Sequence, residues 1–116
     1  MRNGKLASLL FLVPFVPAIT LSAAAGPVAG DVAAGKTLFA SKCVSCHGPN
    51  GEGKDAMAKM FKVEMRPLAS KEVQAKTDAQ LGKDFSEGTG KMKAISGLSA
   101  ADTANIVAHI RTLAKK

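Results

Sequence analysis

The sequence predicts an all-α domain, and three observations lead to this class. Apolar residues recur at every third or fourth position in several segments, whereas the strict alternation that marks a half-buried strand occurs nowhere. Side chains that cap helices precede four of these segments, at Asp31, Ser70, Thr77 and Ser99. The chain has 116 residues, so it has room for a single domain.

The first predicted helix covers residues 32–42 and begins after the cap Asp31. Its apolar face carries Val32, Gly35, Leu38 and Phe39. The helix therefore delivers the chain to Cys43. The next segment, residues 47–53, is dense in glycine, proline and asparagine and must be a loop.

Three further helices and a loop are expected before the last helix. Residues 55–61 and 71–76 predict short helices, and residues 78–87 predict a longer one with Leu81 and Phe85 on one face. Gly88 ends that helix and opens a glycine-rich loop over residues 88–93.

The last helix begins after Ser99, and Asp102 in its first turn suits the helix dipole. Its apolar stripe consists of Ile106, Val107, Ile110 and Leu113. A stripe of this kind predicts that the helix packs against another part of the domain.

Residues 1–25 are expected to be a cleaved secretory signal peptide. Arg2 and Lys5 give it a positive start, an apolar stretch follows, and three alanines offer a cleavage site after Ala25. The apolar stretch contains two prolines and is shorter than the roughly 20 residues of a membrane-spanning helix. We therefore expect residues 26–116 to be a periplasmic domain with no stable membrane anchor.

The composition of the domain predicts a cofactor in its centre. The chain has no Trp and no Tyr, and beyond residue 25 its aromatic side chains are Phe39, Phe61 and Phe85. A small domain with so few large side chains needs help from a cofactor or cross-link, and a porphyrin would fill the space. The net charge of +7 comes from scattered basic residues without aromatic stacking partners, so nucleic acid is not an expected ligand.

Residues 43–47 carry the strongest chemical signal. Cys43 and Cys46 are the chain's two cysteines, spaced C-x-x-C, and His47 follows at once. This is the attachment pattern of c-type haem. Each thiol can add to one haem vinyl group to form a thioether, and the adjacent imidazole is then directed at one face of the iron.

Three other uses of these residues fit less well. A thioredoxin-type redox pair would need a βαβ context, which a helical chain lacks. Structural zinc needs four ligands, and beyond the motif only His109 remains. A simple disulfide would leave His47 unexplained and the centre of the domain unfilled.

The second axial ligand of the iron must come from a short set of residues: Met57, Met60, Met65, Met92 and His109. Thioether sulfur suits ferrous iron, and His/Met ligation raises the reduction potential. Met57 and Met60 lie on a predicted helix, where packing into the core explains them. Met92 lies in a glycine-flanked loop between two lysines and has little packing reason to be there, so it is the favoured ligand.

The motif at residues 43–47, the Arg66-Pro67-Leu68 segment, the Gly88-Thr89-Gly90-Lys91-Met92 loop and the C-terminal helix together resemble class I monohaem cytochromes c of bacteria. The resemblance implies the cytochrome c fold, with three to five short helices around one covalently bound haem c. It implies that His47 and Met92 are the axial ligands. It also implies that the Pro67 carbonyl accepts a hydrogen bond from the ring N–H of His47.

The chain departs from this family at two positions. Lys93 stands where the family usually has proline, which could loosen the loop around Met92. His109 stands where an aromatic residue is usual, and we expect it to pack between the first and last helices instead of binding iron. Lys91 and Lys93 place positive charge beside the haem edge, where an acidic patch of a redox partner could dock.

The function expected from these features is that of a soluble periplasmic electron carrier, monomeric and without enzymatic activity. Two other functions stay open. One is a haem subunit of a larger redox complex, and the other is a sensor in which a labile Met92 leaves the iron free to bind a small ligand.

Overall fold

The computed structural model describes residues 10–18 and 29–114. In these ranges the chain forms six helices and no β-strand, as predicted for the all-α class. The helices are α1 (Val32–Lys42), α2 (Val44–His47), α3 (Asp55–Phe61), α4 (Lys71–Gln74), α5 (Asp78–Ser86) and α6 (Ala100–Leu113). None of the helices in the described part is long and apolar enough to cross a membrane.

The extra helix relative to the sequence prediction is α2. The backbone continues from α1 through Cys43 into one more helical turn that holds the Cys46-His47 pair. The four residues of this turn are too few to show a periodic hydrophobic pattern. The sequence alone therefore could not distinguish the turn from α1 or from the loop that follows.

All four predicted caps are present. Asp31 accepts a hydrogen bond from the Ala34 N–H at 2.8 Å, and Ser70 accepts one from the Val73 N–H at 3.4 Å. Thr77 and Ser99 each form a capping box, in which the cap hydroxyl and the third residue of the helix satisfy each other's backbone N–H groups. The helix starts are therefore determined locally.

Helices α1 and α6 cross in close contact, and glycine makes this possible. A Cβ atom at Gly35 would lie 1.8 Å from the Asn105 carbonyl oxygen, and one at Gly30 would lie 2.0 Å from the Ala104 oxygen. The side chain of Asn105 also accepts a hydrogen bond from the Asp31 N–H at 2.7 Å. The two backbones are thus held together without side chains between them.

The hydrophobic core lies where α1, α5 and α6 meet. As predicted, the apolar stripe of α6 is buried, and so are the two apolar residues of α5. His109 is buried as well, with its ring centroid 5.0 Å from that of Phe39, which confirms its predicted place between the first and last helices. The buried apolar residues are Phe39, Cys43, Leu81, Phe85, Ile106, Val107, Ile110 and Leu113.

Three apolar residues lie outside the core, contrary to expectation. Met60, predicted as core filler on α3, is 64% exposed, and Phe61 beside it is 42% exposed. Val32 at the start of α1 is 45% exposed. Among the described residues, the main contacts between helices join α1, α5 and α6, and α3 is not part of that packing.

The expected signal peptide falls largely outside the described residues, and so does the expected cleavage point after Ala25. Residues 10–18 have no regular secondary structure, and their large apolar side chains are almost fully exposed. This segment makes no contribution to the core.

Candidate functional site

A cavity of about 660 Å³ lies beside the core. Its volume falls in the range of small-molecule and cofactor sites. The cavity brings together four residues that the sequence singled out, namely Cys43, Cys46, His47 and Met92. The other lining residues are Lys42, Phe61, Val63, Glu64, Met65, Arg66, Thr89, Gly90, Lys91, Lys93, Ala94 and Ile95.

The two cysteines and the histidine are placed by the junction of α1 and α2. Cys43 ends α1, with its N–H donating to the Phe39 carbonyl at 2.8 Å, and its own carbonyl accepts from the His47 N–H at 2.9 Å. The chain then turns at Gly48, which has a φ of +79°. Gly53 closes the following loop by donating to the His47 carbonyl at 2.7 Å.

Burial sets the protonation of Cys43 and His47. Burial raises the pKa of the Cys43 thiol to about 11, so this thiol stays protonated at neutral pH. Burial lowers the pKa of His47, which keeps the imidazole neutral. A neutral imidazole has a free nitrogen lone pair, which is the form that binds a metal.

The loop that carries Met92 is closed by hydrogen bonds. The Thr89 N–H donates to the Met92 carbonyl at 3.0 Å, and the Met92 N–H donates to the Thr89 carbonyl at 2.9 Å. Farther along, the Ile95 N–H donates to the Phe85 carbonyl at 2.8 Å, which ties the loop to the end of α5. These bonds hold the backbone of the loop on both sides of Met92.

A second cavity of about 180 Å³ adjoins the first. The two share four lining residues, namely His47, Arg66, Thr89 and Met92. The second cavity is otherwise lined by Leu68, Val73, Lys76, Leu81, Asp84, Phe85 and Ile110. His47 and Met92 thus lie between the two cavities and line both of them.

One nitrogen of the His47 ring makes no hydrogen bond. This atom, Nδ1, is buried and has no partner in the structure. The Pro67 carbonyl, predicted to accept from this ring, accepts from the Ser70 N–H at 2.9 Å. A carbonyl oxygen has two lone pairs and can take a second donor, so the hydrogen bond from His47 to Pro67 stays a prediction.

The remaining candidate ligands divide between the cavity and the rest of the molecule. Met65 lines the cavity together with Met92, whereas Met57, Met60 and His109 do not. The sequence reasoning missed Phe61 and Val63 as lining residues. Their place depends on how the segment after α3 folds back, which no local pattern encodes.

Positive charge surrounds the opening of the cavity. Lys42, Arg66, Lys91 and Lys93 line it, and Glu64 is the one carboxylate among the lining residues. The two lysines that flank Met92 are exposed. The predicted basic edge is therefore present, with Lys42 and Arg66 added to it by the fold.

The residues on this cavity fit a haem group. Two thiols and an imidazole lie on one wall, a thioether lies on the loop that forms another, and most of the lining is apolar. Nδ1 of His47 is buried without a hydrogen-bond partner, and an imidazole of this kind suits a metal site in which one ring nitrogen binds the metal and the other hydrogen-bonds. Both cysteines are free thiols in the structure and are available for thioether bonds.

Comparison with known proteins agrees with this chemistry. The sequence model of the cytochrome c family matches residues 32–114. Cytochrome c-554(547) of Halothiobacillus neapolitanus is 39% identical over 93 residues, which is 73% of this chain and 99% of that protein. Cytochrome c6 of Rippkaea orientalis is 51% identical over 43 residues, 37% of each chain.

Two solved structures share the fold. The KustC0563 c-type cytochrome superposes with a TM-score of 0.58 at 26% identity, covering 68% of this chain and 95% of that one. The sulfane dehydrogenase SoxCD of Paracoccus pantotrophus superposes with a TM-score of 0.53 at 26% identity, covering 74% of this chain. The chain spans 44% of that SoxCD chain, so the likeness concerns one part of a larger protein.

Proposed function

The chain belongs to the cytochrome c family of electron-transfer haem proteins, and from this premise we propose that it is a soluble periplasmic carrier of single electrons with a His/Met-ligated haem. The cofactor of the family is haem c, held covalently through a C-x-x-C-H motif that this chain carries at residues 43–47. The observation that supports the proposal most is the single cavity that collects Cys43, Cys46, His47 and Met92.

Each of these residues has a separate part in the proposal. Cys43 and Cys46 would form the two thioether bonds, and His47 and Met92 would hold the iron. The bound haem supplies an iron that alternates between the ferrous and ferric states and so holds or releases one electron. The protein's contribution is to orient, bury and tune this group.

Met92 is proposed as a firm ligand. The paired hydrogen bonds between Thr89 and Met92 fix the backbone on which the thioether is mounted, and the contact from Ile95 to Phe85 anchors the far end of the loop. A side chain on a fixed backbone loses little further entropy when it binds. With His47 and Met92 both bound, the iron would have no open position for a substrate, so we propose no catalytic activity.

The partner is proposed to be a redox protein with an acidic patch. Lys42, Lys91 and Lys93 and the exposed edge of Phe61 surround the opening of the cavity. Complementary charge accelerates encounter and orients the partner, and an apolar contact at the centre allows close approach. The carrier acts as a monomer in this proposal, because exchange between partners needs the haem edge to be free.

The proposed periplasmic localisation rests on the leader-like residues 1–25. The positive start and apolar stretch are those of a secretory signal. Expression of the full chain with a C-terminal tag, followed by fractionation and N-terminal sequencing of the product, would test both the compartment and the cut after Ala25. A product that retains residue 2 would contradict the proposal.

The axial ligands are tested by electronic spectra of the oxidised protein. Sulfur ligation of ferric haem gives a weak long-wavelength band. We expect this band in the natural protein, its loss in Met92→Ala, and its retention in Met65→Ala, which removes the other thioether on the same cavity. Loss of the band in Met65→Ala instead would overturn the ligand assignment.

Carbon monoxide distinguishes a closed carrier from a sensor. We expect the reduced protein to show no prompt spectral change under carbon monoxide, and Met92→Ala to bind it readily. Prompt binding by the natural protein would favour a labile Met92 and the sensor function.

A second candidate function is a haem subunit of a larger redox complex. The observation that favours it is the likeness to SoxCD, of whose chain the present one covers 44%. Size-exclusion chromatography of the protein purified from its native source discriminates the two. A single species of monomer size supports the free carrier, and co-elution with a larger redox protein supports the subunit.

A further inference from the structure

Two polar residues outside the haem cavity hold the segment that faces His47. Gln74 is the last residue of α4, and its side-chain Nε2 donates to the Leu68 carbonyl at 2.8 Å and to the Ile110 carbonyl at 3.1 Å. Both donors of the amide are thereby used. The amide joins the loop at residues 67–68 to the backbone of α6.

Arg111 holds Gln74 in place. One guanidinium nitrogen, Nη1, donates to the Gln74 backbone carbonyl at 2.9 Å and to its Oε1 at 3.3 Å. The other, Nη2, donates to the Lys76 carbonyl at 2.6 Å and to Asp78 at 2.7 Å. The planar guanidinium thus donates to Gln74, Lys76 and Asp78 at the same time. Such rigid, multiple hydrogen bonding leaves Gln74 little freedom to move.

The held segment is the one next to the proximal histidine. The Leu68 N–H donates to the carbonyl of Gly51 at 2.8 Å, in the loop that leaves His47. Leu68 and Arg66 line the second cavity together with His47. The Pro67–Leu68 peptide is therefore fixed at its N–H by Gly51, and the next carbonyl is fixed by Gln74.

We propose that Gln74, clamped by Arg111, is a positioning residue for the proposed iron ligand His47: it fixes the Leu68 carbonyl and with it the adjoining Pro67 carbonyl, the acceptor predicted for the buried and still unpartnered Nδ1 of His47. This inference rests on the proposed function, in which His47 binds iron. A hydrogen bond to the other ring nitrogen raises the basicity of a ligating imidazole and favours ferric iron. Gln74 therefore lowers the reduction potential without touching the haem.

The test compares two glutamine-to-leucine variants of the holoprotein. Gln74→Leu removes both amide donors without changing charge. Gln80→Leu is the matched control, because Gln80 serves the capping box of α5, where its Oε1 accepts from the Thr77 N–H at 2.9 Å. Both variants lose hydrogen bonds and both lower thermal stability, so stability alone does not separate a structural role from a positioning role.

Two readouts separate these roles. In Gln74→Leu we expect a more positive reduction potential and an exchange of the His47 Nδ1 proton, measured by NMR on the reduced protein, about tenfold faster, the factor that one hydrogen bond of ordinary strength carries. In Gln80→Leu we expect both to equal those of the natural protein. Equal values in the two variants would overturn the proposal.

Arg111→Lys provides a second test if Gln74→Leu does not fold. It keeps the positive charge but lacks the fork that holds Gln74, and we expect a smaller shift of both readouts in the same direction. A loss of stability with neither readout changed would overturn the proposal. A natural protein whose oxidised spectrum lacks the sulfur band would instead refute the proposed His/Met ligation, before any Gln74 variant is measured.

Discussion

The Cα of Gly35 in α1 lies directly against the backbone carbonyl of Asn105 in α6, so close that a Cβ atom would be 1.8 Å from the oxygen. A side chain of any size is excluded from this crossing. The same crossing places Phe39 against His109 one turn farther along, and α1 continues into the turn that bears Cys46 and His47. The contact between Gly35 and Asn105 therefore sets where the haem-binding residues lie relative to α6.

Gly35→Ala is expected to destabilise the fold by about 3 kcal/mol, because the helices must separate to admit one methyl group. Thermal unfolding followed by circular dichroism measures the loss. Gly82→Ala is the control, since a Cβ there meets only the Thr103 methyl at 2.9 Å, which can rotate away. The gain in helix propensity, about 1 kcal/mol, offsets that contact. Equal stability of the two variants would contradict the crossing geometry.

Lys62→Gly is expected to stabilise the protein by about 1 kcal/mol, because Lys62 ends α3 with a φ of +54°, a conformation that costs residues with a Cβ atom about that much. Lys59→Gly removes the same charge from the interior of α3 and is expected to lose about 1 kcal/mol. Chemical denaturation of both holoproteins gives the two values. A loss of stability in Lys62→Gly would contradict the view that the left-handed backbone of Lys62 destabilises the end of α3.

Lys93→Pro is expected to stiffen the loop that carries Met92. Within the described part of the chain, the Lys93 N–H donates to no backbone carbonyl, so proline would remove no hydrogen bond. By restricting the unfolded chain, proline is expected to stabilise the fold by about 0.5 to 1 kcal/mol. The measurement is the temperature at which the long-wavelength sulfur band disappears, which should rise. Lys93→Ala removes the same charge without restricting the backbone and should leave that temperature close to its natural value.

Acid is expected to weaken the start of α6. The Ser99 backbone N–H donates to the Asp102 carboxylate at 3.0 Å, and this bond, with the nearby Ser99 hydroxyl, holds the pKa of Asp102 below its ordinary value of 3.8. Since this pKa is lower in the folded than in the unfolded chain, the stabilisation is complete above 3.8 and is lost as the pH falls through the folded value.

Unfolding curves of the natural protein and of Asp102→Asn between pH 7 and pH 3 test this dependence. The natural protein should be the more stable at neutral pH, and the difference should shrink below pH 4 as Asp102 takes up a proton. A constant gap for Asp102→Asn would contradict the prediction.

The sequence by itself determined the chemistry and the local structure. The motif at residues 43–47 and the caps Asp31, Ser70, Thr77 and Ser99 act within one helical turn. Interactions between residues so close along the chain can be predicted from residue type and spacing. For the same reason, the apolar stripe of α6 could be read as a buried face before any partner for that face was known.

Only the tertiary structure decided which distant residues share a site. It brings Met92 to the cavity of His47 together with Met65, leaves Met60 in solvent, and connects Gln74 to Arg111 across 37 positions of the chain. Each of these relationships depends on how the loops after α2, α3 and α5 fold back onto α6. The positions of these loops depend on the packing of the whole domain, so they cannot be predicted from the hydrophobic periodicity of any single segment.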